Sequence, residues 1–124
     1  MIQRKNDILI FMPTYNEAGH VQQMLERIRG TGLKTDVIFL DDNSTDGTGE
    51  LIERLTEEDD AVFAIHRAGK SGIGSAHRVG INHAYDQGYS TLITMAADLV
   101  HRPEDIPLFL EASEKHDIVV GNRF

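Results

Sequence analysis

The chain has 124 residues, of which 40% are hydrophobic and 26% are charged, and this length and composition predict one globular domain spanning residues 1–124. The formal net charge of −8 argues against nucleic-acid binding, and the absence of cysteine excludes disulfides, zinc–thiolate sites and thiol catalysis. Because no apolar stretch approaches the roughly 20 residues of a membrane span and no signal-peptide pattern opens the chain, we expect a soluble, cytoplasmic protein.

Short apolar runs alternate with helical segments along the chain. Runs of strand length occupy residues 8–12, 37–40, 62–65, 91–95 and 118–120. Helical segments are predicted between them, at about 17–29, 49–55, 74–87 and 104–114. This alternation predicts an α/β fold with a mainly parallel sheet, helices on both faces and right-handed crossovers.

Polar residues follow each predicted strand. In chain order they lie at 13–17 (PTYNE), 41–47 (DDNSTDG), 67–74 (a basic, glycine-rich loop), Asp98 and 121–123 (GNR). The carboxyl ends of parallel strands meet at one edge of an open α/β sheet, which is where such sheets bind ligands. Helix capping explains part of the pattern, because Asn16 and either Ser44 or Asp46 would be good N-cap residues.

Asp98 and the basic window before it indicate a phosphate ligand with a metal ion. Mg²⁺ or Mn²⁺ shared with a nucleotide diphosphate usually takes one or two protein carboxylates. The alternative for Asp98 is a cap on the turn before the helix that opens near residue 103. Between residues 61 and 85 the chain has no Asp or Glu but has Arg67, Lys70, Arg78 and three histidines. This window favours an anion such as phosphate, or else forms a solvated basic face.

A calcium loop is a further alternative. Asp42, Ser44, Asp46 and Gly47, with Glu53 at the twelfth place, imitate the spacing of an EF-hand. A β-branched apolar strand precedes this segment instead of a helix, which argues against that interpretation. A calcium-binding module would require Ca²⁺ affinity that depends on the aspartates.

The motifs together resemble the family-2 inverting glycosyltransferases, and most closely the dolichol- or polyprenol-phosphate mannosyltransferases. Five motifs occur in the same order as in that family, at 13–18 (PTYNEA), 41–48 (DDNSTDGT), 72–76 (GIGSA), 97–99 (ADL) with His101 and Pro103, and 119–124 (VVGNRF). The resemblance implies a Rossmann-like GT-A fold with sheet order 3-2-1-4 and the nucleotide over the switch point between the first and fourth strands. It also implies that a hexose passes, with inversion, from a nucleotide sugar (GDP-mannose or a UDP-sugar) to a polyprenyl phosphate.

The same resemblance assigns the site residues. Those assigned to the nucleotide are Pro13, Tyr15, Glu17, Asp42, Lys70, Gly72 and Gly74. Asp98 would ligate Mg²⁺ or Mn²⁺ and Arg123 would face phosphate, which makes these two the expected catalytic residues. The chemistry is suitable, since a carboxylate at Asp42 can accept an N–H from guanine or uracil, and Tyr15 can pack against a flat ring.

Two departures from the family pattern affect the expected activity. Ala96 replaces the first aspartate of the usual Asp-x-Asp motif, so we expect a weakened metal site and impaired turnover. The family's domains also run well past residue 124, so we expect the acceptor-binding part to be missing and the strand at 118–120 to form an edge open to self-association. A lipid-phosphate acceptor would bring the protein to the cytoplasmic face of a membrane. The alternative function is a non-catalytic nucleotide-binding or regulatory module.

Overall fold

The structure, a computed structural model, describes residues 4–67, 73–95 and 118–120. Its strands are β1 (Ile8–Thr14), β2 (Thr35–Asp41), β3 (Val62–His66), β4 (Thr91–Thr94) and β5 (Ile118–Val120). Its helices are α1 (Val21–Gly30), α2 (Thr48–Glu58) and α3 (Ile73–Gln87). The strands form a parallel sheet in the order β3-β2-β1-β4-β5, which confirms the predicted fold class and the order 3-2-1-4. The predicted helix at 104–114 lies outside the described residues.

The hydrophobic core lies on both faces of the sheet. Alternate residues of a strand point to opposite faces, so Ile10 and Met12 pack with α1 and α2, whereas Leu9 and Phe11 pack with α3. All seven residues of β2 are buried, as expected for a central parallel strand covered on both faces. The two-sided burial explains why the strands read as continuous apolar runs in the sequence.

Helices α1 and α3 contact the sheet through different surfaces. The buried residues of α1 recur at the spacing of one helical face: Val21, Met24, Leu25 and Ile28. Helix α3 approaches β1 closely at Gly80, where an added Cβ would come within 2.7 Å of the Phe11 ring. A larger residue at position 80 would therefore push α3 away from the sheet.

Pro13 lies inside β1, past the predicted end of that strand. The Phe11 carbonyl accepts from the Met95 N–H at 3.0 Å and so faces β4, whereas the Thr14 carbonyl accepts from the Asp42 N–H and faces β2. Alternate residues of a strand face the same neighbour, so the nitrogen of Pro13 faces the β4 side, beyond the last β1–β4 register pair. The missing N–H therefore breaks no hydrogen bond of the sheet.

A buried carboxylate anchors the chain at the opposite edge, where the strands begin. Asp36 is fully buried and accepts hydrogen bonds from the Lys5 N–H at 2.8 Å, the Asn6 amide at 2.9 Å and the Tyr89 hydroxyl at 2.6 Å. Burial, followed by the hydrogen bond to Asp36, raises the pKa of Tyr89, so this phenol remains a donor. These bonds fasten the segment before β1 and the turn before β4 to the start of β2.

The edges of the sheet leave one prediction open. Within the ranges that the structure describes, β3 and β5 are the outermost strands. Self-association through β5 stays a prediction.

Among the helices of these ranges, none has the length and apolar character needed to cross a membrane.

Candidate functional site

The carboxyl ends of β1 and β2 bring two predicted ligand residues to the same edge. Thr14 and Asp41 are register partners at the ends of these strands, and the Asp42 N–H donates to the Thr14 carbonyl at 3.2 Å. Tyr15 and Asp42 therefore leave neighbouring strands side by side. The chain continues from β1 to β2 and β3 on one side and returns to β4 on the other, so this edge is the switch point of the sheet.

Asp42 is buried and forms a bidentate ion pair with Arg67. The two carboxylate oxygens accept from Nε and Nη2 of Arg67, at 2.5 and 2.8 Å. The side chains of Asp42 and Arg67 are 8% and 16% exposed. The hydrogen bond that Arg67 donates to Asp42 raises the pKa of Arg67, with burial opposing it. Each oxygen of an ionised carboxylate has two lone-pair sites, so Asp42 retains the capacity to accept from a ligand N–H or hydroxyl.

Asp41 belongs to a second polar group beside the first. Its Oδ1 accepts from the backbone and the hydroxyl of Ser44, and its Oδ2 lies 3.5 Å from Nδ1 of His66. The other ring nitrogen of His66 lies 2.7 Å from Glu53 on α2. Burial lowers the pKa of His66, but the hydrogen bonds and charges of Glu53 and Asp41 outweigh it, so the pKa lies above the usual 6.5.

The loops after β1 and β2 are hydrogen-bonded to each other. Asn16 Oδ1 accepts from the Thr45 N–H at 2.8 Å, and the Asn16 N–H donates to Ser44 Oγ at 2.9 Å. Asn16 has a φ of +54°, a left-handed conformation that asparagine tolerates better than most residues. The predicted N-cap roles of Asn16 and Ser44 are therefore wrong, because both side chains are used between the loops.

The helix ends differ from the predicted ones for the same reason. Helix α1 begins at Val21, four residues after the predicted start, and its N-cap His20 makes no side-chain capping bond. The N-cap of α2 is Gly47, with a φ of +93°, although Asp46 does accept from the Thr48 N–H at 3.1 Å. The first two helices thus begin at residues other than the N-cap candidates that the sequence indicated.

The other described nucleotide candidates lie along the same loop. Pro13 is half-buried, and Tyr15 is 40% exposed at the edge. The Glu17 carboxylate lies 2.7 Å from Nδ1 of His20, and its carbonyl accepts from the first N–H groups of α1. Pro13, Tyr15 and Asp42 therefore lie at one edge, while the Glu17 side chain is turned toward α1.

The structure changes the interpretation of the charge pattern. Two basic residues of this window face carboxylates, Arg67 against Asp42 and His66 against Glu53. The strand order could have indicated the first pair, since Arg67 directly follows β3 and Asp42 follows the neighbouring strand β2. The carboxylates of the imitated calcium loop have separate partners, and a strand, β2, precedes them, which disfavours the calcium alternative.

Several predicted site residues lie outside the described ranges. These are Lys70, Gly72, Asp98 and Arg123, together with Ala96. Gly74 lies in the first turn of α3, close to its predicted place at the start of that helix. In residues 4–67 and 73–95, no three His, Asp or Glu side chains are grouped so as to hold a metal.

A parallel sheet with helices on both faces and polar groups at its switch point defines a Rossmann-like α/β protein. The model of Glycosyl transferase family 2 matches residues 9–124, and the chain belongs to this family. It is 39% identical over 116 residues to the undecaprenyl-phosphate mannosyltransferase of Micrococcus luteus, covering 94% of this chain and 48% of the relative. It is 35% identical over 118 residues to the polyprenol monophosphomannose synthase of Mycolicibacterium smegmatis, covering 94% of this chain and 44% of the relative.

A solved structure supports the same assignment of the fold. The mannosyltransferase of Pyrobaculum calidifontis in complex with GDP-Man and Mn²⁺ matches with a TM-score of 0.57 and 26% identity, covering 62% of this chain and 24% of that one. The dolichol-phosphate mannosyltransferase of Saccharomyces cerevisiae is 32% identical over 120 residues, 93% of this chain and 44% of the relative. The chain thus spans less than half the length of these relatives.

Proposed function

We propose that this chain forms the donor-binding part of a hexosyltransferase that moves mannose from GDP-mannose to a polyprenyl phosphate with inversion. The names of the curated relatives support mannose and a polyprenyl phosphate, and the neighbour's complex with GDP-Man and Mn²⁺ supports the guanosine donor. Because the chain spans less than half of these relatives, we assign donor binding to it and not the whole reaction.

The observation that carries this proposal is the pairing of a buried carboxylate with an exposed aromatic ring at the switch point. Asp42 is held in place by two hydrogen bonds from Arg67, and its carboxylate oxygens can accept from a base N–H or a ribose hydroxyl. Tyr15, which leaves the adjacent strand, offers a ring face for the base. Pro13 limits the backbone freedom just before this ring.

The reaction itself requires little proton transfer by the protein. A phosphate acceptor is already ionised near neutral pH, so a general base is unnecessary, and the main task is to stabilise charge on the departing diphosphate. We assign this task to Arg123, whose guanidinium can bind phosphate in a bidentate fork. A bound Mg²⁺ or Mn²⁺ would supply further charge neutralisation at the diphosphate.

The metal would depend on Asp98 and on the donor's own phosphates. Strand β4 runs beside β1, so its end at Thr94 lies at the same edge as Tyr15, and Asp98 follows four residues later in the sequence. One carboxylate with phosphate oxygens is an acceptable Mg²⁺ or Mn²⁺ ligand set, but Ala96 contributes none. We therefore propose that the site binds its metal weakly. Separately, we propose that the reaction takes place at the cytoplasmic face of a membrane, because the lipid-phosphate acceptor would be found there.

Calorimetric titration tests the proposal. We expect GDP and GDP-mannose to bind more tightly than UDP and UDP-glucose, and Mn²⁺ to tighten the diphosphates. Tyr15→Ala should weaken GDP binding by about 3–10-fold through lost ring packing. The matched control is Tyr85→Ala, since Tyr85 is 84% exposed on α3, away from the strand ends.

The outcomes separate the candidate functions. Failure of every nucleotide to bind would refute donor binding. Slow, Mn²⁺-dependent hydrolysis of GDP-mannose would support the transferase part, whereas tight nucleotide binding without any hydrolysis, with or without Mn²⁺, would favour the non-catalytic module. Equal effects of the two tyrosine substitutions would remove Tyr15 from the site.

A further inference from the structure

Three consecutive backbone amides after β1 are held by side chains from the loop after β2 and from the first residue of α2. The Asn16 N–H donates to Ser44 Oγ at 2.9 Å, as described above. The Glu17 N–H donates to Thr48 Oγ1 at 2.9 Å, and the Ala18 N–H donates to a carboxylate oxygen of Asp46 at 3.2 Å. Consecutive amides around a left-handed residue form a concave cluster of donors, and here the neighbouring loop fills that cluster.

Asp46 is the centre of this connection. One of its oxygens accepts from both the backbone N–H and the hydroxyl of Thr48, and the other accepts from Ala18. The Thr48 hydroxyl is fully buried, and it donates to Asp46 while accepting from the Glu17 N–H. A single carboxylate thus fixes the N-terminus of α2 and, directly and through one hydroxyl, two residues of the other loop.

The geometry points to Asp46 as a positioning residue for the donor: we propose that it sets the loop bearing Tyr15 at the right distance from Asp42. This inference rests on the proposed function, because it concerns how the same site is assembled. Asp46 itself lies outside the set that we assign to the nucleotide. Its role is to keep the base-binding groups of two strands in one arrangement before the ligand arrives.

The charge of Asp46 suits this role. The hydrogen bond from Thr48 lowers the pKa of Asp46, and the bonds from the Ala18 and Thr48 amides lower it further against the effect of burial. The side chain is therefore an ionised acceptor at neutral pH, with both oxygens in use. An asparagine at this position could still accept from Thr48, but its amide nitrogen would meet the Ala18 N–H donor to donor.

The test compares Asp46→Asn with a matched substitution at Asp59. Asp59 accepts from the N–H two residues further on, that of Ala61, at 2.9 Å, as Asp46 does from Thr48. It lies in the turn between α2 and β3, at the opposite edge of the sheet, where it pairs with Arg29. GDP affinity is measured by calorimetry, and the thermal midpoint is measured by circular dichroism.

We expect Asp46→Asn to weaken GDP binding by about 10-fold, the equivalent of one charge-assisted hydrogen bond. Asp59→Asn should lower the thermal midpoint but leave GDP affinity within about two-fold. As a second variant pair, Thr48→Ser should retain the affinity that Thr48→Val loses, because only serine keeps the hydroxyl.

Two failures would be distinguishable. If the unaltered chain binds neither GDP nor UDP, the proposed function fails and the positioning role fails with it. If the unaltered chain binds GDP, and Asp46→Asn and Thr48→Val bind it equally well, the positioning role alone is overturned. A loss of affinity that follows the thermal midpoint equally at Asp46 and Asp59 would also overturn it, since that result indicates a general structural effect.

Discussion

Replacing Asp42 by alanine should both destabilise the protein and weaken nucleotide binding, and the two effects can be separated. Removing one partner of a buried ion pair costs about 3–5 kcal/mol, because a buried charge is left uncompensated. Arg67 is 16% exposed, so we take the lower end of that range, about 3 kcal/mol. For a domain of this length, that loss corresponds to a fall of about 12 °C in the thermal midpoint.

The companion variant is Asp42→Ala combined with Arg67→Met. Removing both charges leaves no uncompensated group, so the double variant should recover about 2 kcal/mol of the loss, as measured by urea unfolding. If Asp42 accepts a hydrogen bond from the base or ribose, the double variant should still bind GDP about 10–100-fold more weakly than the unaltered chain. Arg67→Met alone shows how much of this weakening comes from the arginine.

A second arginine–aspartate pair provides the control. Arg29 and Asp59 lie 2.8 Å apart, but each is 29% exposed, so the same double-variant cycle should show a weaker coupling. Losses at Asp42 and Arg67 that merely add in the double variant would contradict the pairing. A double variant that is stable and binds GDP normally would show that Asp42 contacts no donor atom.

Three further predictions concern neighbouring positions. Since the pKa of His66 is raised, its protonated form stabilises the fold below about pH 6.5, and this contribution is lost as pH rises through the raised value. The urea midpoint of the unaltered chain relative to His66→Gln should fall as pH rises, whereas a constant difference would contradict the pairing. Gly49→Ala should cost about 1–2 kcal/mol in urea unfolding, because its Cβ would lie 2.8 Å from an Asp41 oxygen. Gly19→Ala, with nothing within 4 Å, is its control, and a stabilised Gly49→Ala would refute the contact. Ala96→Asp should tighten Mn²⁺-dependent binding of GDP-mannose by about 10–100-fold in calorimetry, and unchanged affinity would remove the position from the metal site.

The strand pattern could be predicted because burial on both faces demands continuous apolar runs. The sequence indicated five strands, and each overlaps the observed one, but β1 and β2 extend further toward the site than expected. In β1 the reason is Pro13, which breaks a strand only where its missing N–H would face a partner. That condition depends on the register with β4, and local sequence does not encode it.

The contacts that shape the site were harder to predict because they join residues distant in sequence. Arg67 and Asp42 are 25 residues apart, and Asn16 and Thr45 are 29 apart. Capping preferences indicated that the Asn16 side chain accepts from a backbone N–H, but they placed that N–H in the following helix, whereas it belongs to Thr45 in the other loop. A polar residue beside a helix start has several donors within reach once two loops meet, and only the fold decides between them.

The described part of the site is held together by contacts within the protein itself, and this has a consequence for how the donor is recognised. Tyr15 and Asp42 extend from strands that are in register, their loops are fastened together, and Asp42 is held by Arg67. The base would therefore bind to groups that are already ordered by folding, so that binding loses little further conformational entropy. The diphosphate depends instead on Asp98, Arg123 and a cation. Base recognition should therefore be retained although position 96 is alanine and supplies no carboxylate. The charge stabilisation that transfer needs should be weakened by the same residue.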